Sequence, residues 1–351
     1  MAAIDRKLFL DILSFDSTSG AEKPLADYLE KALAGPVSGG AAGSAAGSGP
    51  EPAVCPRVQS WDVPEGGRNL LFSWGEPRVV FCTHMDTVPP YIPPTVAGEM
   101  VFGRGACDAK GQIVALYAAC RQLAAEGLDG FGLLLLSGEE TGSWGAKAFA
   151  KTDFRAPYLI IGEPTEGKMV SACKGTKAFE LVFHGEAFHS GYPQFGHSAI
   201  DSFVDFVNSL RAVDFGTDPE LGPTTWNIGR LHSDNAQNVL SPELRCRLYF
   251  RTTFLSDGRV AGEVKRLAAE GGADVKEIGG DTPSRWFTIP GFEAAPASFG
   301  SDAPHLTNFE HRAICGAGSI RFAHRPDEQV SLAELAAAAE RYVAMFKALQ
   351  K

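Results

Sequence analysis

Two adjacent carboxylates, Glu139 and Glu140, are the residues of this chain best placed to do chemistry. They follow the apolar run at 133–136 and the turn Ser137-Gly138. Two charged groups beside a buried strand are costly unless a partner stabilises them. Successive side chains near a strand point in different directions, so one carboxylate can bind a metal ion while its neighbour faces a water molecule on that ion. The pair therefore predicts a metal site whose other ligands come from elsewhere in the chain.

A second candidate, the pair His84 and Asp86, follows an apolar strand predicted at 78–83. Residues two apart on an extended chain share a face. His84 could then bind metal while Asp86 accepts its other ring N–H and fixes the tautomer. Considered alone, the pair is better explained by a histidine at a strand end that is hydrogen-bonded to a nearby aspartate.

Three further candidates lie in predicted loops. Asp108 stands at a helix start, where it could cap the helix or bridge two metal ions. Glu163 follows a strand near 158–162, at the end of a strand where α/β sheets place their sites, although a turn acid at the surface is the simpler explanation. His324 precedes the last helix, where a histidine is often only solvated. Together, two imidazoles and several carboxylates in this order favour two ions such as Zn²⁺, with one glutamate left to act as general base.

The elements that must position these residues form two patterns. Apolar strands alternate with helices in the first half of the chain, which predicts an α/β fold with a sheet covered on both faces. After about residue 172 the order becomes β-α-β-β-α-β, which is typical of a ferredoxin-like α+β domain. We therefore predict one domain from 1–172 and 283–351, and a smaller inserted domain from 173–282. Residues 35–52 are almost all Gly, Ala, Ser and Pro, and we expect them to carry no chemistry.

Composition excludes several classes of protein. The chain has 351 residues, 44% of them hydrophobic, and a net charge of −10, which argues against a nucleic-acid surface. No apolar stretch approaches the ~20 residues of a membrane span. Neither a signal peptide nor a Cys-x-x-Cys pair is evident, and the seven cysteines are scattered, so we expect a cytoplasmic protein with reduced thiols.

At this point the motifs resemble those of the metal-dependent aminoacylase/carboxypeptidase family, which includes acetylornithine deacetylase, succinyl-diaminopimelate desuccinylase and glutamate carboxypeptidase. The resemblance implies a mixed-sheet zinc-peptidase catalytic domain with an inserted dimerisation, or lid, domain. It also implies a cis peptide after Asp108. The matching motifs are His84-x-Asp86-Thr87-Val88, Gly103-Arg104-Gly105-x-x-Asp108-x-Lys110-Gly111, Glu139-Glu140, Gly162-Glu163-Pro164-Thr165 and Ala323-His324.

The resemblance also implies a role for each residue of the metal site. His84, Asp108 and Glu163 would hold one ion. Asp108, Glu140 and His324 would hold the other. Glu139 would be the general base, and Asp86 would orient His84. Zn²⁺ is the expected metal, with Co²⁺ or Mn²⁺ as substitutes.

By the same resemblance, the inserted domain would contribute to substrate binding in a homodimer. His189, in Gly185-x-x-x-His189-Ser190, looks like the histidine that reaches the partner subunit's site, and it would stabilise the oxyanion there. A structural turn is its other explanation. Asn238 and Arg251 are placed like residues that bind the substrate carboxylate. Lys174 and Gly318 resemble residues of substrate-lining segments, although Ala317 departs from the family's usual Gly-Pro-Gly.

The sequence as a whole predicts a two-metal amidohydrolase that deacylates an N-acyl amino acid. The expected substrate is N-acetylornithine, or acetylcitrulline or succinylornithine, with a role in arginine biosynthesis. A diaminopimelate desuccinylase, a lysine-releasing hydrolase and a di- or tripeptidase stay open within the same chemistry. A noncatalytic metal-binding protein is disfavoured by the intact Glu139. A nucleotide-binding oxidoreductase is disfavoured because the Gly103-x-Gly105 segment lacks a phosphate-binding fingerprint.

Overall fold

The computed structural model describes residues 4–36 and 55–350. Most of the low-complexity segment, 37–52, therefore lies outside the described residues, and the expectation that it carries no chemistry stays a prediction. No helix in the described part of the chain is long and apolar enough to cross a membrane.

The chain divides into two compact units. The smaller unit consists of Ala172–Arg285 and Pro296–Gly300. The larger unit consists of the described residues up to Ser171, together with Trp286–Ala295 and those from Ser301 onward.

A six-stranded mixed sheet forms the centre of the larger unit. Four neighbouring strands are parallel, and two further strands continue the sheet in antiparallel pairing. Every residue of Val79–His84 and Phe131–Leu136 is buried, as expected for inner strands covered on both faces. In sheet order the strands are Arg57–Asp62, Arg68–Trp74, Phe131–Leu136, Val79–His84, Ala156–Ile161 and Phe309–Ile314.

Parallel strands end at the same edge of a sheet, and this edge gathers the candidate residues. His84 is the last residue of its strand. Glu139 and Glu140 come just after Leu136, and Glu163 comes two residues after Ile161. Ligand sites of α/β proteins lie at this carboxyl edge, so the topology itself brings together side chains that are far apart in sequence.

Two helices close the core of the larger unit. Lys110–Ala125 begins two residues after Asp108, and most of its residues are buried. The C-terminal helix, Leu332–Leu349, starts with a capping box in which Ser331 and Glu334 exchange hydrogen bonds. The remaining helices of this unit are Arg6–Leu13, Lys23–Ala32 and Trp144–Phe149, and its three-stranded sheet contains Thr95–Ala97, Met100–Phe102 and Gln329–Ser331.

The smaller unit has a four-stranded antiparallel sheet with two helices in β-α-β-β-α-β order. If the four strands are numbered in chain order, their order across the sheet is 2-3-1-4, as in ferredoxin-like domains. Phe179, Leu181 and Phe183 alternate along the first strand and are buried in its core. In chain order the elements are Gly175–His184, Ala199–Arg211, Thr225–His232, Glu243–Thr252, Asp257–Glu270 and Ala273–Gly279. Short strands of this unit lie at Thr217–Asp218, Gly222–Pro223 and Ser284–Arg285, and the strands Met169–Cys173 and Ala294–Ala297 each begin in residues assigned to the larger unit.

The predicted fold class, an α/β catalytic unit with an α+β ferredoxin-like insertion, is confirmed. In the large sheet the sequence did not identify Arg57–Asp62 and Phe309–Ile314, and it identified none of the short strands outside the two main sheets. Both named strands are edge strands of the large sheet. Arg57–Asp62 has only exposed and half-buried positions, and Phe309–Ile314 mixes exposed and half-buried positions with buried ones, so neither forms an apolar run.

Candidate metal centre

Asp108 lies between the two candidate histidines. Its Oδ1 is 3.1 Å from Nε2 of His84, and its Oδ2 is 3.4 Å from Nε2 of His324. The same Nε2 of His324 is 2.9 Å from Oε1 of Glu140. One carboxylate therefore faces an imidazole on each side, which is the arrangement that a carboxylate shared by two ions requires.

The structure groups the candidate ligands into sets of three whose donor atoms lie within 4.8 Å of one another. One set contains His84, Asp108 and Glu163, and a second contains Asp108, Glu140 and His324. A third set contains His84 with Glu139 and Glu140. Distance alone therefore does not separate the roles of the adjacent glutamates, and their assignment as base and ligand stays a prediction.

Asp86 connects the strand end at His84 to the turn that carries the two glutamates. Its Oδ1 accepts the backbone N–H of Glu139 at 3.0 Å, and its Oδ2 accepts that of Glu140 at 3.1 Å. Nδ1 of His84 is 3.0 Å from the backbone oxygen of Asp86 and 3.3 Å from its Oδ1. The hydroxyl of Ser19 donates to Oδ2 at 2.7 Å. Asp86 can thus orient the histidine and the glutamate turn at the same time.

Glu163 is buried, with 4% of its surface exposed, and its Oε1 has no hydrogen-bond partner in the described chain. A cation beside it would give this oxygen a partner. The 316–318 loop packs closely here, because a Cβ on Gly316 would lie 2.3 Å from the backbone oxygen of Glu163. Gln112 hydrogen-bonds both backbone groups of Ala317, which shows how the departure from Gly-Pro-Gly is accommodated.

The carboxylates at this centre repel one another in the absence of a cation. Burial raises the pKa of Glu139 and of Glu163 well above the usual range, and neighbouring acids add to the effect. Hydrogen bonds to Asp108 and Glu140 raise the pKa of His324 to about 10. Burial alone would lower the pKa of His84, but its bonds to Asp108 and Asp86 raise it. A cation bound among these acids would favour their charged forms and so lower their pKa values.

The residues present fit divalent ions. Imidazole nitrogens and carboxylate oxygens suit Zn²⁺ and its neighbours in the first transition row. A bound cation would stabilise the mutually repelling acids and would give the partnerless Glu163 oxygen a partner. The Asp108–Ala109 peptide is cis, as the resemblance implied.

The other predicted site residues, except Gly318, lie in the smaller unit. There, Nδ1 of His189 accepts the N–H of Gly191 at 3.0 Å, and the backbone N–H of Ser190 donates to the backbone oxygen of Asn238 at 2.9 Å. His189 and Asn238 thus belong to one paired loop region, and both are exposed. Burial lowers the pKa of Lys174, and the positive charge of Arg251 lowers it further.

Three residues near the metal centre were not assigned a role from sequence. Asp302 is buried, and its Oδ1 has no hydrogen-bond partner among the described residues. Burial is the main cause of the raised pKa of Glu139, and the negative charge of Asp302 raises that pKa further. Ser19 bonds to Asp86, and Glu328 accepts the backbone N–H of Asp108. Single Asp and Ser residues give no periodic signal, so only the contacts reveal Asp302 and Ser19. Glu328 lies only four residues after His324 in the sequence, and this spacing could have identified it as a candidate.

Comparison with known proteins places this site in a family context. The profile of Peptidase family M20/M25/M40 matches residues 80–348. A Peptidase M20 domain-containing protein of Schizosaccharomyces pombe is 31% identical, covering 93% of this chain and 80% of that protein. A probable carboxypeptidase of Aspergillus terreus is 30% identical, covering 96% and 84%. The crystal structure of aminopeptidase PepT from Bacillus cereus superposes with a TM-score of 0.72 at 21% identity, covering 99% of this chain and 100% of that one, which shows a shared fold.

Proposed function

This chain belongs to Peptidase family M20/M25/M40, and from that membership we propose that it cleaves the amide bond next to a free α-carboxylate, in substrates of the form RCO–NH–CHR′–COO⁻. It is a metal-dependent hydrolase of amide bonds. The observation that carries the metal-dependent part of the proposal is the position of Asp108, whose two oxygens face His84 on one side and His324 on the other.

We assign His84, Asp108 and Glu163 to one divalent ion, and Asp108, Glu140 and His324 to the other. Zn²⁺ fits these nitrogen and oxygen donors best, with Co²⁺ or Mn²⁺ as substitutes. When bound, two such ions polarise a carbonyl oxygen and lower the pKa of water.

Glu139 acts as the proton carrier in this proposal. It takes a proton from the attacking water as the water oxygen bonds to the carbonyl carbon, and it returns that proton to the nitrogen as the C–N bond breaks. Its backbone N–H is held by Asp86, which keeps the carboxylate beside the ligands. Glu140 is then free to serve only as a ligand, supported by its 2.9 Å distance to His324.

Lys174 and Arg251 are our candidates for recognition of the substrate's carboxylate, together with Asn238 and Gly318. Burial is the main cause of the lowered pKa of Lys174, and the positive charge of Arg251 lies close enough to lower it further. Neither cation forms an ion pair with an acid of the described chain. An unneutralised cation pair favours a carboxylate ligand, and the guanidinium can bind it in a bidentate manner.

The group R, on the acyl side of the cleaved amide bond, distinguishes between the narrower candidate reactions. If R is methyl and the amino acid is ornithine, the reaction is that of an N-acetylornithine deacetylase, the substrate favoured from the motifs. If R is a peptide or a blocked amino acid, the same bond cleavage is a carboxypeptidase reaction, which the name of the Aspergillus relative supports. We favour the carboxypeptidase class, with the di- or tripeptidase reaction as the second candidate.

We further propose that the enzyme is a homodimer in which His189 acts on the partner's substrate. Because Nδ1 of His189 accepts the Gly191 N–H, the neutral ring carries its proton on Nε2. An exposed Nε2–H donor is suited to stabilise an oxyanion.

A turnover panel tests the proposed function. Purified enzyme with added Zn²⁺ or Co²⁺ is incubated with N-acetylornithine, N-acetyl amino acids, N-blocked dipeptides, and the same dipeptides with an amidated C-terminus. We expect hydrolysis of substrates with a free carboxylate and at least a hundredfold lower kcat/KM for the amides, because the cation pair loses its ligand. Equal rates for acids and amides would overturn the carboxylate requirement.

A further inference from the structure

Glu328 is a buried acid that joins two separate parts of the metal centre. It lies four residues after His324, and only 1% of its surface is exposed. Its Oε1 accepts three backbone N–H groups, from Gly105 at 3.0 Å, Cys107 at 3.1 Å and Asp108 at 3.0 Å. One side chain from the His324 loop therefore holds the whole segment that leads to Asp108.

Arg104 completes this connection. Its guanidinium is buried and donates to Oε2 of Glu328 at 2.6 Å and to the backbone oxygen of Arg325 at 3.3 Å. The backbone N–H of Gly103 also donates to the backbone oxygen of Glu328 at 3.0 Å. The two loops are thus joined through side chains and through backbone, with a full positive charge to balance the buried carboxylate.

A buried ion pair is a poor means of gaining stability, because desolvation offsets most of the attraction. Its cost is better explained by a requirement for fixed geometry. Asp108 and His324 contribute to the same ligand set, although they are more than two hundred residues apart in sequence. Their relative position depends on contacts between the two loops, and Glu328 makes the contact nearest to Asp108.

We propose that Glu328 is a positioning residue that holds Asp108 in register with His324 and thereby sets the affinity for the ion bound by Asp108, Glu140 and His324. This inference rests on the proposed two-metal function. It assigns Glu328 no contact with substrate and no proton transfer.

The test is titration of the metal-free full chain with Co²⁺, followed by calorimetry and by the visible absorption of the bound ion. In Glu328→Gln, one oxygen can still accept N–H bonds, but the charge that attracts them and pairs with Arg104 is lost. We expect the affinity for the ion bound by Asp108, Glu140 and His324 to fall about 10- to 100-fold, as is typical when a residue that supports a ligand is changed. The other ion shares Asp108 but not His324, so its affinity should fall clearly less. At saturating Co²⁺ the KM should stay near the wild-type value.

Asp218→Asn is the matched control, because Asp218 in the smaller unit is also buried and also accepts three backbone N–H groups. It should lower thermal stability without changing either Co²⁺ affinity. The inference is overturned if Glu328→Gln binds both ions with wild-type affinity. It is also overturned if the affinities for both ions fall by the same factor in Glu328→Gln as in Asp218→Asn.

If Glu328→Gln does not fold, Glu328→Asp decides instead, because it retains the negative charge while its side chain, shorter by one methylene, moves the carboxylate away from the three backbone N–H groups. A selective weakening of one ion supports the inference, and unchanged binding overturns it. A wild-type chain that takes up fewer than two ions contradicts the proposed function itself. Two ions in the wild type with unaltered binding in the variants contradict only the role of Glu328.

Discussion

Oδ1 of Asp86 accepts the backbone N–H of Glu139 at a distance of 3.0 Å. The same carboxylate accepts the N–H of Glu140 through Oδ2 and lies beside Nδ1 of His84. Two proposed ligands and the proposed base therefore depend on one buried acid. Asp86 is thus more than a partner for the histidine ring, because it also sets the position of the turn on which the chemistry depends.

Replacement of Asp86 should affect metal and turnover together. In Asp86→Asn, one of the two backbone N–H groups faces an amide N–H₂ instead of an oxygen, and the ring of His84 loses a negative partner. We expect metal affinity to fall about 10- to 100-fold and kcat to fall even at saturating metal. Ser19→Ala removes only the hydroxyl bonded to Asp86 and should have a smaller effect on both. Calorimetric metal titration and steady-state kinetics check these expectations; equal effects in the two variants would contradict the bracing role of Asp86.

Gly138, which precedes the two glutamates, should not tolerate a side chain. Its φ is 71°, and a Cβ there would lie 1.7 Å from the Trp144 ring. Gly98 has a similar φ of 61°, but nothing lies within 4 Å of the position of its Cβ. Urea unfolding should therefore show a cost of about 1 kcal/mol for Gly98→Ala, from the backbone alone, and a clearly larger cost with lost activity for Gly138→Ala. Similar losses in both would show that the Trp144 contact is unimportant.

Four of the five candidate metal ligands were accessible from sequence because each follows a predicted strand or precedes a predicted helix within a short motif; His324 lies in a turn, and its role was identified from the family resemblance. His84 and Glu163 follow apolar runs, so the edge of the sheet on which they lie could be predicted. The contacts that brace them could not be predicted in the same way. Ser19 meets Asp86 across 67 positions, and Asp302 is an isolated acid. Such pairs are set by tertiary packing, and no local pattern encodes them.

Glu22 should make stability depend on pH. It is fully buried, its Oε2 accepts the Gly20 N–H at 2.8 Å, and its Oε1 has no partner in the described residues. Burial, aided by the charge of Asp86, raises its pKa from 4.5 to about 7. Between these two values the folded protein keeps a proton that the unfolded chain has released. The contribution of this group is therefore full below pH 4.5 and is lost as the pH rises through about 7.

Glu22→Gln should remove this dependence. The free energy of unfolding of the variant, relative to wild type, should increase between about pH 5 and pH 8 by at most about 3 kcal/mol. Urea unfolding at several pH values measures this difference, and Glu99→Gln, at an exposed glutamate, controls for loss of a surface charge. If the stability of Glu22→Gln relative to wild type fell with rising pH, the pKa of Glu22 would be lowered by folding and not raised.

Subunit exchange tests the proposed action of His189 on a partner. Glu139→Gln and His189→Ala dimers should each be nearly inactive. If sites are shared, a mixed dimer has one site with both wild-type residues, so an equal mixture should recover about a quarter of wild-type activity after exchange. Native mass spectrometry verifies that mixed dimers have formed. Mixed dimers without recovered activity would show that His189 does not act in trans.

Metal content measured beside turnover tests most directly whether the adjacent glutamates have different roles. Glu139→Gln and Glu140→Gln are purified in parallel, reconstituted with Zn²⁺, and assayed for bound zinc and for kcat on the best substrate of the panel. We predict that Glu139→Gln keeps two ions per chain and loses about a thousandfold or more in kcat, as expected when a general base is removed. Glu140→Gln should instead bind one ion with reduced affinity. A Glu139→Gln enzyme that turns over at a near-normal rate, or that loses an ion as Glu140→Gln does, would contradict this division of roles.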